Sequence, residues 1–298
     1  LARLMWEYVH ENRDVARKIL SGETPLGRAL VEEEALGEDV HSQVLTHETA
    51  AGIIREAKKI GVGLCYCRHL REHVDDGCSY AMDVCTAFNA GASYLVRRGF
   101  MREVSKEEAL DIFSRTKEEG LVYVADNVKR RPSFVCHCCG CCCGLLGGMK
   151  KLRLENVVAT SPYLAKIDGG KCTGCGLCVK KCQVDMINLV EDGRGKRGEV
   201  DSRFCLGCGV CVAACREGAL RMVDRGERVI TPDSAMEKYL MIAIEQGKLG
   251  NLLFDDFTSL PHAVIRNVVN AIARVKPLKD HLKKEEMRSR FLQALVAR

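Results

Sequence analysis

Residues 172–182 read Cys-Thr-Gly-Cys-Gly-Leu-Cys-Val-Lys-Lys-Cys, and this stretch decides how the middle of the 298-residue chain folds. Residues 205–215 repeat it as Cys-Leu-Gly-Cys-Gly-Val-Cys-Val-Ala-Ala-Cys, so both copies have the spacing C-x2-C-x2-C-x3-C. Three thiolates on one tight loop can bind three irons of a cubane, while the intervening glycines let backbone N–H groups turn toward the sulfurs. The fourth cysteine begins a short helix that points away, so we expect it to ligate the cluster of the other copy.

This crossed arrangement predicts two [4Fe–4S] clusters. The first takes Cys172, Cys175, Cys178 and Cys215, and the second takes Cys182, Cys205, Cys208 and Cys211. Zinc is the alternative for closely spaced cysteines, but zinc sites combine C-x2-C pairs from separate positions. The doubled frame therefore favours iron and sulfide over zinc.

Residues 168–232, which contain this frame, resemble the bacterial-type two-[4Fe–4S] ferredoxins. The resemblance implies a small pseudo-symmetric α+β module that carries electrons between enzymes, and hence a redox partner protein or an oxidoreductase complex. One departure is the residue after the fourth cysteine, usually proline in that family, which is Gln183 in the first copy and Arg216 in the second. Since that proline shapes a turn and binds no iron, its replacement affects the local backbone rather than cluster binding.

Ten of the eighteen cysteines lie upstream of this module, in two groups. They are Cys65, Cys67, Cys78 and Cys85, followed by Cys136, Cys138, Cys139, Cys141, Cys142 and Cys143. Ten thiols suffice for one or two additional Fe–S clusters, or for one larger cluster bridged between the groups. Zinc or free thiols explain this density less well.

Basic residues flank the first upstream group, and we expect Arg68, His69, Arg71 and His73 to favour thiolates by lowering their pKa values. His69 and His137 are candidate additional ligands, although an ordinary partly buried histidine is the simpler interpretation of each.

Two short segments carry a second resemblance. Cys65-Tyr-Cys67-Arg68 and residues 138–142, Cys-Cys-Gly-Cys-Cys, are similar to segments of a poorly characterised family of anaerobe proteins that end in a dicluster ferredoxin. The Cys-Cys-Gly pieces also resemble the catalytic subunit of heterodisulfide reductases, which uses unusual clusters for disulfide chemistry.

The predicted fold class is α+β, in three regions. We expect a helical cysteine-rich domain at 1–150, a dicluster ferredoxin module at 151–232 and a helical segment at 233–298. The predicted helices cover 3–20, 26–36, 47–60, 80–98, 105–120, 234–246, 260–275 and 283–296, and the predicted strands include 121–125 and 133–135. In the cysteine-rich domain, the order helix, helix, strand, basic turn, strand is also that of a winged helix.

Composition limits the class of function. The net charge of +5 is far below that of a dedicated nucleic-acid binder, and no G-x-G-x-x-G or P-loop pattern indicates a bound nucleotide. The sequence also has no signal-peptide pattern and no apolar run long enough to span a membrane. We therefore expect a protein of a reducing, oxygen-poor cytoplasm, with neither nucleic-acid binding nor a membrane span.

The leading hypothesis is an electron-transfer protein, or an electron-transfer component of an oxidoreductase. One alternative is a reductase whose upstream cluster has an open iron site beside a pocket and acts on a disulfide or a small substrate. Another is an Fe–S redox-sensing regulator, suggested by the winged-helix order and the basic turn Lys129-Arg130-Arg131. The candidate recognition helix at 105–119 has a net negative charge, which argues against DNA binding.

Overall fold

The computed structural model describes residues 1–37, 45–193, 195–226, 231–253 and 260–275. The chain divides into two compact units, one comprising residues 1–21 with 25–230 and the other comprising 22–24 with 231–298.

A seven-stranded sheet forms the centre of the first unit. Its strands are β1 (Gly27–Ala29), β2 (Ile60–Leu64), β3 (Asp83–Phe88), β4 (Arg102–Val104), β5 (Val122–Asp126), β6 (Phe134–Cys138) and β7 (Val158–Ala159). Their order across the sheet is β4-β2-β3-β6-β5-β1-β7. Only the β1–β7 pairing among these is parallel.

Two of the helices that accompany this sheet precede β1, and the others lie between strands of the sheet. In chain order they are α1 (Ala2–Trp6), α2 (Arg13–Leu20), α3 (Ala50–Glu56), α4 (Tyr66–Glu72), α5 (Asn89–Arg97), α6 (Lys106–Glu118) and α7 (Gly144–Leu152). A π-helical turn at Glu7–Glu11 follows α1, and short 3-10 turns lie at Glu33–Ala35 and Thr46–Glu48.

The alternation of side chains along β5 separates two cores. Tyr123 and Ala125 face a core in which α3 and α6 pack on the sheet. Val122 and Val124 face the opposite core, which contains Leu146 of α7 together with apolar residues from 184–210. The ferredoxin region therefore packs on one face of the same sheet.

The ferredoxin module comprises two β-α-β halves. They are β8 (Tyr163–Ile167), α8 (Leu177–Lys181) and β9 (Ile187–Asp192), then β10 (Gly195–Val200), α9 (Val210–Ala213) and β11 (Leu220–Asp224). Antiparallel pairing joins β8 to β11 and β9 to β10. These halves agree with the pseudo-symmetry that the cysteine repeat implies.

The second unit is helical in its described part. It contains α10 (Ala235–Glu245), α11 (Leu249–Leu253) and α12 (Leu260–Ala273), with Ser234 capping α10 by accepting from Glu237 N–H. The helices predicted at 234–246 and 260–275 are confirmed, and the one predicted at 283–296 lies outside the described residues.

The helix predicted at 3–20 is interrupted at Asn12, whose side chain caps α2. Three further helix predictions upstream are wrong in part. Residues 27–29 of the predicted helix 26–36 form β1, because they pair with β5 and β7. The helix predicted at 47–60 ends at Glu56, and β2 follows. Residues 83–88 of the predicted helix 80–98 form β3. In each case pairing with distant strands outweighs local helix propensity.

The helix predicted at 105–120 is confirmed, with Ser105 accepting from Glu108 N–H at 3.1 Å. The predicted strands 121–125 and 133–135 pair as an antiparallel hairpin, β5–β6. This hairpin is internal to the sheet, since β6 also pairs with β3 and β5 with β1. The mixed α and β content is confirmed, the N-terminal region is not simply helical, and the winged-helix arrangement is not confirmed.

Candidate metal centres

All eighteen cysteines lie in the described ranges and all are free thiols. The chain is therefore not a disulfide scaffold, and its thiols are free to bind metal.

The structure gathers the eight ferredoxin cysteines into two sets of four. Cys215 of the second repeat lines a small apolar cavity with three cysteines of the first. Cys182 of the first repeat lines a second small cavity with three cysteines of the second. The first set is Cys172, Cys175, Cys178 and Cys215, and the second is Cys182, Cys205, Cys208 and Cys211. These are the two groupings that the crossed arrangement predicts.

The backbone around these cavities suits a sulfide-containing cluster. The N–H of Gly198 donates to the Cys172 sulfur at 3.4 Å, and the N–H of Met186 donates to the Cys182 sulfur at 3.3 Å. Gly174 and Gly207 have positive φ values of 69° and 71°, and a Cβ at either position would clash with a neighbouring carbonyl oxygen. Both loops therefore curl inward in the way that amide donation to a cubane requires.

Four upstream thiols form the tightest cysteine group. The sulfurs of Cys78, Cys139, Cys141 and Cys142 all lie within 4.8 Å of one another. Cys139 and Cys142 are buried, Cys78 is half-buried and Cys141 is exposed. The group packs against Leu121 and Tyr80.

The other six upstream thiols form a more extended group. They are Cys65, Cys67, Cys85, Cys136, Cys138 and Cys143. The sulfur of Cys136 interacts with the thiols of Cys85 and Cys138, and that of Cys143 with the thiols of Cys138 and Cys67, so the single proton of Cys138 is shared between the two. Hydrogen bonding with these neighbours lowers the pKa of Cys136 and of Cys143 well below the usual value. Donation and burial raise the pKa values of their three neighbours.

Strand and helix geometry explains this assembly. Cys136 and Cys138 are two residues apart on β6, so both point to the same face of the sheet. Cys85 lies on β3, which pairs with β6. Cys67 lies on α4 and Cys143 directly precedes α7, so two helix N-termini complete the group.

Arg68 is the cation that the structure places among the upstream thiols. It is 1% exposed and donates to the carbonyl oxygens of Ala81 and His137, each at 2.6 Å. Its side chain also bonds Cys139. A buried guanidinium in this position offsets thiolate charge, as expected from the sequence.

Residues 171–235 match the family model of the 4Fe-4S dicluster domain. The match includes residues 171–232 of the predicted dicluster module, and it supports [4Fe–4S] binding and iron–sulfur electron transfer there. No match was found among functionally curated proteins.

The other three basic residues near Cys65 and Cys67 interact with partners other than thiols. Arg71 forms an ion pair with Asp76 and lies over the ring of Trp6, 4.3 Å from its centroid. His69 and His73 face each other, with their Nε2 atoms 3.3 Å apart.

His137 is a buried core residue. Its Nδ1 lies 2.7 Å from the Thr116 hydroxyl and its Nε2 lies 3.3 Å from the Thr86 hydroxyl. The ring packs between Phe113 and Tyr123. Burial, with the charge of Arg68, lowers its pKa to about 3. Since both ring nitrogens already have partners, His137 is not available as a ligand, and the simpler interpretation made from the sequence holds.

A cavity of about 1100 Å³ lies beside the upstream thiols. Cys67 and Cys143 of the six-thiol group, with Cys141 and Cys142, form part of its wall. Residues far apart in the chain build this cavity, so no local sequence pattern predicts it.

In the described part of the chain, no helix has the length and apolar content needed to cross a membrane.

Proposed function

We propose that this protein is an iron–sulfur electron carrier that serves a redox partner, as a component of an oxidoreductase in an oxygen-poor cytoplasm. Two [4Fe–4S] clusters would bind the two sets of four cysteines in the dicluster module. At least one further cluster would bind the six-thiol group. Each cluster, when bound, supplies one-electron exchange.

One observation carries this proposal: the six-thiol group and the dicluster module share a buried core. Cys138 and Cys143 belong to the same apolar cluster as Cys182 and Cys208. Val122 and Leu206 fill the space around them. Close packing of this kind favours electron exchange between redox centres and excludes water from them.

The six-thiol group also suits a cluster by its extent. Five of its six thiols are linked in a chain, Cys85 to Cys136 to Cys138 to Cys143 to Cys67, rather than crowded around one point. Soft thiolates on this scale are the donor set expected for iron–sulfur binding. The buried Arg68 supplies positive charge beside them.

The test is metal and sulfide analysis of the full chain purified without oxygen. Two cubanes require about eight iron and eight sulfide per chain, and we expect more than eight of each. Cys138→Ala should remove the excess sulfide and leave about eight sulfide per chain. A sulfide content of the unmutated protein that stops at about eight would rule out the upstream cluster, and a protein with almost no iron would rule out the electron carrier altogether.

The cavity of about 1100 Å³ favours a second candidate, a reductase that acts on a disulfide or a small substrate at the six-thiol group. Cys67 and Cys143 border both the group and the cavity, so a molecule inside it would lie next to the redox centre. A size of several hundred cubic ångströms is typical of ligand pockets.

Gly147→Leu distinguishes the two candidates. Gly147 lines the cavity, and a Cβ there meets no atom within 4 Å, so a leucine would fill cavity space. A reductase should lose oxidation of the reduced protein by small disulfides, whereas a pure carrier should show none before or after the change. Exchange with a ferredoxin-type protein partner should be unaffected in both cases.

A further inference from the structure

The four-thiol group differs in kind from every other cysteine set in the molecule. The sulfurs of Cys78, Cys139, Cys141 and Cys142 lie mutually within 4.8 Å, and those of Cys141 and Cys142 are 3.6 Å apart. Within the described ranges, neither set of the dicluster module and no part of the six-thiol group gathers three or more ligand atoms so closely.

This spacing matches one metal ion rather than a cubane. Thiolates at about 2.3 Å from a tetrahedral ion lie roughly 3.8 Å from one another. A cubane places four irons and four sulfides between its ligands, so its cysteine sulfurs must stand farther apart. The four-thiol group is too compact to enclose that unit.

The local backbone supports the same conclusion. Cys139 and Cys142 have the C-x2-C spacing of a zinc-binding knuckle. The backbone N–H of Cys143 donates to the Cys139 carbonyl oxygen at 3.2 Å, which closes the turn that carries Cys139 and Cys142. Cys78 approaches from a distant segment and Cys141 from the exposed side, so four ligands surround one point.

The surroundings compensate the charge of such a centre. Four thiolates around a divalent ion carry a net charge of −2, and the buried Arg68 bonds Cys139 directly. Leu121 and Tyr80 cover the inner side, while the exposed Cys141 leaves a route by which the ion can enter. A closed site of four sulfurs is the pattern of a structural ion.

We propose that Cys78, Cys139, Cys141 and Cys142 bind a single tetrahedral metal ion, Zn²⁺ or Fe²⁺, with no bridging sulfide. Soft thiolates in a tetrahedral arrangement suit both ions. The thiols bind as thiolates and release their protons to solvent. The ion holds the 139–142 loop against the rest of the first unit. This site is independent of the electron carrier proposed above, since it needs no cluster.

The test compares metal and sulfide contents of the full chain with those of Cys78→Ala and Cys141→Ala, all purified without oxygen. Each variant should lose about one metal ion per chain and no sulfide. A fall in zinc identifies zinc, and a fall in iron without sulfide identifies a lone iron. The matched control is Cys175→Ala, also at an exposed cysteine, which should lose cluster iron and sulfide but keep the lone ion.

X-ray absorption on the unmutated protein gives a second test that does not depend on how the variants fold. Measured at the zinc edge, a zinc ion at this site should show four sulfurs at about 2.3 Å and no iron neighbour. Loss of iron and sulfide together from Cys78→Ala and Cys141→Ala would mean that these cysteines hold a cluster, which would overturn the proposal. Unchanged metal content in both variants would also overturn it. The Cys175→Ala control shows what loss of metal from the dicluster module looks like, so that such a loss is not mistaken for loss of the lone ion.

Discussion

Gly140 and Gln183 join the upstream cysteine region to the dicluster module. The backbone N–H of Gly140 donates to the side-chain oxygen of Gln183 at 2.7 Å. The side-chain amide of Gln183 in turn donates to the Gly120 carbonyl at 2.8 Å. Gln183 directly follows Cys182, the position where ferredoxins of this type usually have proline. A proline has no side-chain polar atom and could make neither bond, so the departure from the family pattern has a structural use.

Gln183→Ala tests this link. It removes both hydrogen bonds and leaves a part-buried N–H and carbonyl without partners, which should cost about 1–3 kcal/mol in the free energy of unfolding. Anaerobic guanidinium titration measures the change. Arg216→Ala is the matched control, because Arg216 holds the equivalent place in the second repeat and is exposed. Equal effects of the two changes would show that the link contributes nothing.

Gly140→Ala tests the close approach of the two backbones. A Cβ on Gly140 would clash with the carbonyl oxygen of Gln183, and backbone cannot move aside as a flexible side chain can. We expect a loss of at least about 1–3 kcal/mol in unfolding free energy, together with reduced metal content upstream. Gly147→Ala is the control, since its Cβ meets nothing within 4 Å and alanine favours a helix by up to about 1 kcal/mol. A Gly140→Ala protein as stable as Gly147→Ala would refute the clash.

Cys215→Ala tests the crossed cluster assignment. Cys215 lines the same cavity as Cys172, Cys175 and Cys178, so its removal should damage the cluster bound there. Mössbauer and EPR spectra of the anaerobic protein should show one altered and one unaltered [4Fe–4S] cluster. Cys182→Ala should alter the other cluster. If the two variants give the same altered spectrum, the crossed assignment is wrong.

The dicluster module was predictable because the residues that determine its structure lie close together in the sequence. Spacing within each repeat determines the loop, and the pairing of the two repeats follows from the direction in which the fourth cysteine points. The upstream region was harder, since β1 has only three residues and β3 pairs with residues about fifty positions away. No local pattern could assign Cys78 to one thiol group and Cys85 to the other. That division follows from strand pairing and from the turn between β6 and α7.

Arg68 was singled out from the sequence only as one of four basic neighbours of the first cysteine pair. Its burial distinguishes it from the exposed His69, which lies next to it on α4 but faces His73. A surface guanidinium would contribute little, whereas a buried one with two carbonyl partners is fixed in place. Its position beside both thiol groups follows from its hydrogen bond to the His137 carbonyl of β6, a long-range contact that periodicity alone does not reveal.

Arg68→Gln should therefore lower the metal content of both upstream thiol groups and leave the dicluster module loaded. The change removes the positive charge beside Cys139. It also leaves the carbonyl oxygens of Ala81 and His137 without their hydrogen-bond donor, and each buried group that loses its partner should lower the free energy of unfolding by about 1–3 kcal/mol. Arg68→Lys keeps the charge but not the planar fork of the guanidinium, so it should recover part of the metal content and little of the stability.

Metal analysis and anaerobic unfolding together separate the role of the charge from that of the fork geometry. His69→Ala is the control and should retain all metal, because His69 is exposed and contacts no thiol. Full metal retention in Arg68→Gln would mean that the thiol groups do not need the buried charge, and full recovery of stability in Arg68→Lys would mean that the fork geometry is irrelevant.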